Sequence, residues 1–390
     1  MDPSSVTSET DPPKAEETVK SDSKTEEESS SSNPPAATET GPPPHVVQES
    51  WTKLTRDELV DKIKGVIYGH AIGDAIGLAT EFMTKEQAKG TYGAKGPSGY
   101  KDIVPDFHRS RWDQGDWTDD TDQMLLILLS VVENNGIVDE KDFARRLRDW
   151  MLKGFPELGD PGGFGIGMTV SKVLHHPLIL TDPHAAARDV WESSGRYLAA
   201  NGAVMRTSIL GVLHFNDLER VVSNTCAISR VTHADPRCTA SCVAMTTAIA
   251  LMLQGRYDLS KKDQMKALIE ESTKAGIKHI ELKAQEKEFQ DHINAKNLKA
   301  LKLGEQKAIG YTFKALGSGF LGLRTGTDFR KFIMELIMEA GDADTNGAVC
   351  GAMLGCKVGF SKLPQDLLEF VHRQWLDEKV DKFMELIGLK

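Results

Sequence analysis

Apolar residues recur at helical spacing along most of this chain. Leu59, Ile63, Val66 and Ile67 share one helix face. Thr55 precedes them with Glu58 three positions later, the pattern of a capping box. The same helix runs on through Gly69, Gly73 and Gly77, each four residues apart. Glycine inside a helix costs about 1 kcal/mol relative to alanine. A stripe of it on one face predicts that another backbone comes close there. Gly347, Gly351 and Gly355 repeat the spacing, so both glycine-striped helices are placed in the middle of a bundle.

Further helices are predicted over Asp122 to Val132 and Ser241 to Leu253, apolar almost all round as core helices are. Phe143 to Leu152 is amphipathic, with Arg145, Arg146 and Arg148 outward. Val170 to His175 and Phe329 to Met338 also fit a helix, and no segment alternates with strand period. The expected fold is all-α, one helical bundle over residues 49–390. The charged stretch from Arg256 to Gln306 is read as solvent-facing helices and loops. Residues 1–48 are rich in Ser, Glu, Pro and Thr and poor in apolar side chains, which predicts a disordered low-complexity tail.

A net charge of −10 argues against direct nucleic-acid reading, which usually shows as a basic stripe. No apolar stretch reaches the ~20 residues that cross a bilayer. The N-terminus lacks the basic and apolar regions of a signal peptide. No membrane partner is expected, and the location expected is cytoplasmic or nuclear. Five cysteines, with no C-x-x-C pair, are read as reduced buried thiols.

Trp117-Thr118-Asp119-Asp120-Thr121-Asp122 is the densest acidic cluster in the folded region and opens a buried helix. Side-chain oxygens cap free N–H groups at such a place. Capping accounts for one residue. Three neighbouring carboxylates repel, and a bound cation relieves that repulsion. Gly341-Asp342-Ala343-Asp344-Thr345-Asn346-Gly347 opens a second apolar helix in the same way. Its spacing resembles an EF-hand loop, but the twelfth position is Met353 rather than Glu. The Asp-x-Asp-Thr order of aspartyl-nucleophile phosphatases requires a strand end, whereas Phe332 to Met338 is helical in pattern. Glycine-rich backbone at Gly163, Gly165 and Gly167 can cradle phosphate through its N–H groups. The spacing fits neither a dinucleotide fingerprint nor a Walker loop, and a flexible turn fits equally well. Asn201-Gly202-Ala203-Val204-Met205-Arg206 and Thr232-His233 are less specific, since a lone His is more often structural.

Taken in order, Gly73-Asp74 with Glu81, the Thr118 cluster, the Asn201 segment, Thr232-His233 and the Asp342 cluster resemble the ADP-ribosylglycohydrolase family. That family includes the dinitrogenase reductase-activating glycohydrolases and the animal ADP-ribosyl hydrolases. The resemblance implies a compact orthogonal helical bundle and a cleft holding two Mg2+ or Mn2+ ions. It implies metal ligands at Thr118, Asp119 and Asp120 on one side and at Asp342, Asp344 and Thr345 on the other. By the same resemblance Glu81 matches the mobile-loop glutamate of the serine-type members, and Gly163, Gly165 and Gly167 match a loop on the diphosphate. His233 matches a residue beside the distal ribose, Asn201 lies in a matching substrate-binding segment, and Asp74 is expected to be structural. The implied partner is an ADP-ribosylated protein or an ADP-ribose-containing small molecule. The implied reaction is hydrolysis at the anomeric carbon, with Glu81 or Asp119 handling the proton. The rival expectation is a catalytically inactive ADP-ribose-binding or crystallin-like protein of the same fold, in which the ligands erode. All six candidate ligands are present here. The chain departs from the family at Ala340-Gly341, where Gly-Gly is frequent, and at Ala343, where Thr is common.

Overall fold

In the computed structural model, which describes residues 43–390, the two glycine-striped helices lie backbone to backbone. They span Arg56–Gly77 and Ala343–Val358. A Cβ added at Gly65, Gly69 or Gly73 would overlap the carbonyl oxygen of Gly355, Gly351 or Gly347 respectively, and the reverse additions would overlap Gly65, Gly69 and Gly73. The pairing descends along one helix as it ascends along the other, so the two run antiparallel. Such an approach requires positions without side chains, and it brings Cα–H groups against facing carbonyls. The expected capping box of Thr55 and Glu58 closes the start of the first helix.

Fifteen α-helices and no β-strand occur among the described residues, which is the all-α architecture expected. The Asp119–Glu133 helix begins earlier than its apolar period suggests, because Thr118 caps it. The Pro236–Leu253 helix also begins early, capped by Asp235. By length and composition it is apolar enough to cross a membrane, yet 89% of it is buried inside the bundle. It is therefore a core helix here. Thr312–Thr325, which periodicity did not single out, packs through Gly319 and Gly322 onto Val349, Met353 and Cys350. The lysine-rich stretch forms Lys262–Ile277, Lys283–Ile293 and Leu298–Leu301, each with one buried side. All five cysteines are free, and four are buried.

The tail boundary of the sequence analysis is corrected at its C-terminal end. Residues 43–48 belong to the folded unit. Val47 donates its N–H to Ile387 O at 2.9 Å, its side chain packs on the core, and Pro44 O lies 3.1 Å from His214 Nδ1. Two adjacent valines supply the apolar surface that the polar composition further upstream lacks. The rest of the expected tail, residues 1–42, lies outside the described residues.

The crossing generates a stability prediction with opposite signs at two glycines. Gly351→Ala is expected to destabilise the protein by about 1–3 kcal/mol, the cost of overpacking, despite alanine's better helix propensity. Gly90, within the Lys85–Tyr92 helix, has nothing within 4 Å of an added Cβ. Gly90→Ala is expected to stabilise by up to about 1 kcal/mol. Denaturant titration of both variants checks the pair; equal shifts would mean that the close crossing carries no energetic weight.

Candidate active site

The crossing brings the end of the first glycine helix to the beginning of the second. Asp74, in the last turn of the first, accepts from Thr118 N at 3.1 Å and Thr118 Oγ1 at 2.8 Å. It also accepts from Thr121 N at 2.9 Å and Thr121 Oγ1 at 2.6 Å. One buried carboxylate thereby caps a different helix and docks it onto the crossing. Burial pushes the Asp74 carboxyl up to about 6, against the lowering effect of these four donors. Asp122 is occupied elsewhere, accepting from the indoles of Trp117 at 2.7 Å and Trp150 at 3.0 Å.

Asp119 and Asp120 are left to meet the second cluster. Glu81, Asp342 and Asp344 each offer an oxygen within 4.8 Å of the others. Thr118 Oγ1 lies 3.4 Å from Asp120 Oδ2 and 3.5 Å from Asp344 Oδ2. Residues 226 positions apart in sequence thus converge. The cleft above them, about 620 Å³, is lined by Glu81, Asp119, Asp120, Asp342, Asp344 and Thr345, with Gly165, Gly167, Asn201 and His233. Thr118 is buried beside this group without lining the cleft. Asn201 Nδ2 donates to Asp342 Oδ2 at 2.7 Å, so Asn201 orients a carboxylate of the cluster.

The glycine loop divides. Gly165 adopts φ +89°, and a Cβ there would overlap Asp119 Oδ1. Gly167 lines the cleft as the residue preceding the Met168–Leu174 helix, with nothing within 4 Å of an added Cβ. Gly163 does not reach the cleft, in contrast to its expected place on the diphosphate. A Cβ there would meet the Trp150 ring at 2.9 Å, so this glycine serves loop packing.

Glu81 sits on a short segment held from two sides. Arg109 donates through Nη2 to Glu81 O at 2.6 Å and through Nε to Ala79 O at 2.9 Å. Phe82 N donates to Gly341 O at 2.6 Å, and Gly341 N donates to Met83 O at 3.2 Å. His108 Nε2 lies 2.6 Å from Glu81 Oε2. Ala340 and Gly341 both have positive φ, +59° and +79°. Two successive left-handed residues give a physical reason for Gly-Gly at this place, and Ala340 carries a strain of roughly 1–2 kcal/mol that glycine would relieve. His108, Arg109 and Gln123 were missed by sequence reasoning. Gln123 alone left a signal: it stands four residues after Asp119 on the same helix face.

Burial, reinforced by neighbouring carboxylates, raises the carboxyls of Asp119, Asp120 and Asp344 well above their usual range. Asp342 is pushed up to about 6 by burial and by Glu81. Asp120 Oδ1 is buried without a hydrogen-bond partner among the described residues. An all-oxygen donor set with an unsatisfied buried oxygen suits a hard divalent cation.

A family model described as ADP-ribosylglycohydrolase matches residues 55–390. The chain belongs to the ADP-ribosylglycohydrolase family, and by that membership it is a hydrolase of glycosidic bonds to ADP-ribose. An uncharacterized protein of Archaeoglobus fulgidus is 27% identical, over 84% of this chain and 97% of its own length. ADP-ribosylarginine hydrolase Tri1 of Serratia proteamaculans is 25% identical over 87% of this chain and 79% of its own. ADP-ribosyl-[dinitrogen reductase] glycohydrolase of Rhodospirillum rubrum is 25% identical over 86% of this chain and 100% of its own. A solved structure of an ADP-ribosylglycohydrolase-related protein complex has the same fold, with a TM-score of 0.59 and 22% identity over 85% of this chain and 99% of its own.

The raised carboxyls make the stability of the metal-free protein pH-dependent. An aspartate that resists ionisation when folded favours the folded state below its unfolded pKa, near 4, and loses that contribution as pH rises through the folded value. For Asp342, raised to about 6, the loss falls between about pH 4 and pH 6. Asp344→Asn removes one such charge, held well above its usual range by burial and by neighbouring carboxylates, and is expected to stabilise the metal-free protein at pH 7.5. The gain should shrink at pH 4, and Mg2+ should raise the parent's Tm more at pH 7.5 than at pH 5. Thermal melts of parent and variant, with chelator or Mg2+, test this; a gain that persists undiminished at pH 4 contradicts it.

Proposed function

We propose that this cleft removes ADP-ribose from a protein side chain with the help of divalent cations, two Mg2+ or Mn2+. The observation that carries this reading is the convergence of Glu81 with the Asp119-Asp120 and Asp342-Asp344 pairs in one cleft. Thr118, Asp119, Asp120, Asp342, Asp344 and Thr345 would hold the cations. When bound, such ions orient ribose hydroxyls and a water, and offset charge in an oxocarbenium-like transition state.

The chain's own residues account for the remaining work. Gly165 and Gly167 present backbone to the ligand, with Gly165 seated against Asp119 so that both approach the same region. Glu81 carries the proton to or from the reacting group. His108 engages Oε2, which leaves Oε1 for the ligand. Asp119 is held through Oδ2 by Gln123 Nε2 at 2.8 Å, which aims its second oxygen toward the Gly165 loop. His233 contacts the ligand as a neutral imidazole, because burial and the Arg206 charge lower its pKa to about 3. The arginine linkage is the substrate of first choice, since the Serratia relative is named for ADP-ribosylarginine.

The test is release of ADP-ribose from arginine-linked, serine-linked and O-acetyl substrates, with and without Mg2+. Metal-dependent release from the arginine-linked substrate is expected. Asp344→Asn should lower it by 10²-fold or more, in keeping with loss of a charge-stabilising group, while circular dichroism stays unchanged. Gly165→Val should also impair turnover, because its side chain would displace Asp119. Metal-independent release, or none from any of the three, rejects the reading.

A further inference from the structure

Arg206 is fully buried, yet its guanidinium forms no salt bridge among the described residues. Its Nη1 donates to Gln123 Oε1 at 2.9 Å, and its Nη2 donates to Thr232 Oγ1 at 2.7 Å and to Ile228 O at 3.4 Å. Its charge lies over the face of Phe143, 5.0 Å from the ring centroid. Burying a cation without a carboxylate partner is costly, and an apolar side chain of similar volume would pack there at lower cost. The two hydrogen-bonded neighbours show what the arginine holds. Gln123 passes the contact on to Asp119 Oδ2 at 2.8 Å. Thr232 Oγ1 lies 2.8 Å from His233 Nδ1.

The hydrogen-bond partners of Thr232 favour one tautomer of His233. A threonine hydroxyl has one proton. Thr232 Oγ1 accepts from Arg206, and among the described residues His233 Nδ1 is the one acceptor found for its own O–H. His233 Nδ1 is then the acceptor, and Nε2 carries the N–H. Nε2 is buried with no partner among the described residues, and it lies against Gly202, which shares the cleft lining with His233. A buried N–H without an acceptor is costly and rare, and a ligand atom in the cleft would satisfy it.

We propose that Arg206 is the positioning residue for both sides of the cleft. Through Gln123 it holds the Asp119 carboxylate, and through Thr232 it presents His233 as an Nε2–H donor to the ligand. Arginine suits this task because its planar fork fixes two donors at once, whereas a lysine ammonium is a point charge. The inference rests on the ADP-ribosyl-cleaving function proposed above for the identity of the ligand; the tautomer itself does not depend on that reading.

The full chain labelled with 15N-histidine provides the first readout, with the His233 signal identified by its loss in His233→Gln. The parent is expected to show the Nε2–H form, and Thr232→Val to lose that preference. A parent signal of the Nδ1–H form overturns the proposal, whatever the substrate. The second readout is kinetic, on the arginine-linked substrate with Mg2+. Gln123→Glu keeps an acceptor for Arg206 but cannot donate to Asp119 while ionised. It is expected to lower kcat roughly tenfold with KM within about twofold. Thr232→Val is expected to raise KM, and the Kd for free ADP-ribose, roughly tenfold with kcat within about threefold. His233→Gln, which retains a donor at the Nε2 place, should bind ADP-ribose close to the parent, and His233→Asn should not. Arg206→Lys should shift both parameters if folded, but the proposal does not depend on that buried variant folding. Gln123→Glu and Thr232→Val variants that alter only the melting temperature, or that each move kcat and KM together, assign Arg206 a packing role and overturn the proposal. A parent that neither binds nor cleaves an ADP-ribose compound rejects the proposed function instead, while the tautomer result still decides the hydrogen-bond relay.

Discussion

The contact on which everything else depends is the antiparallel crossing of Arg56–Gly77 with Ala343–Val358. Side chains ordinarily keep helix axes 8–10 Å apart. Here glycines face carbonyls at matching intervals, and the two backbones meet directly. The geometry does more than save space. It fixes the longitudinal register, because each glycine must face its counterpart and a slide would drive a larger residue into a carbonyl. Register in turn fixes which residues emerge at the common end: Asp74 and the Glu81 segment from one helix, Asp342 and Asp344 from the other.

Electrostatics at that end then follow from position. Asp119–Glu133 and Ala343–Val358 both begin at the cleft, so two sets of free N–H groups and two positive dipole ends offset part of the carboxylate charge. The offset is incomplete, as the raised carboxyls show. Acidic residues at this end divide between two duties. Asp74 and Asp122 have their oxygens engaged by threonines and indoles and hold the architecture. Asp120 keeps an oxygen without a donor, which leaves it available to a cation.

The fold was legible in the sequence to the extent that it is local. Helical period, the Thr55 capping box and the glycine stripes are all short-range patterns, and each has its counterpart in the structure. The stripes even announced a close backbone approach, since nothing else explains repeated glycine in a helix. Helix beginnings were less legible at Asp119 and Pro236, where caps rather than apolar period set the boundary. At the site, acidic density before two apolar helices identified the residues that meet. Their division of labour was hidden, because Asp122 and Asp119 look alike until Trp150 and Gln123 are placed beside them. His108 was invisible for the same reason: its contact with Glu81 spans 27 residues and follows no period. Gly163 stands in the same glycine-rich run as Gly165 and Gly167, and its packing against the Trp150 ring is likewise invisible in a local pattern.

The distance in sequence between the two halves of the site has a bearing on biosynthesis. Synthesis proceeds from the N-terminus, so the Arg56–Gly77 helix leaves the ribosome long before its partner exists. Until then its glycine face has no backbone to meet, and its apolar residues have only intervening helices for cover. Closing so long a loop comes late and makes folding slow relative to bundles built from neighbouring helices. A nascent or C-terminally truncated chain therefore contains the first acidic cluster without the second. Such a chain lacks one wall of the cleft, which forms only after residues 343–358 have been made.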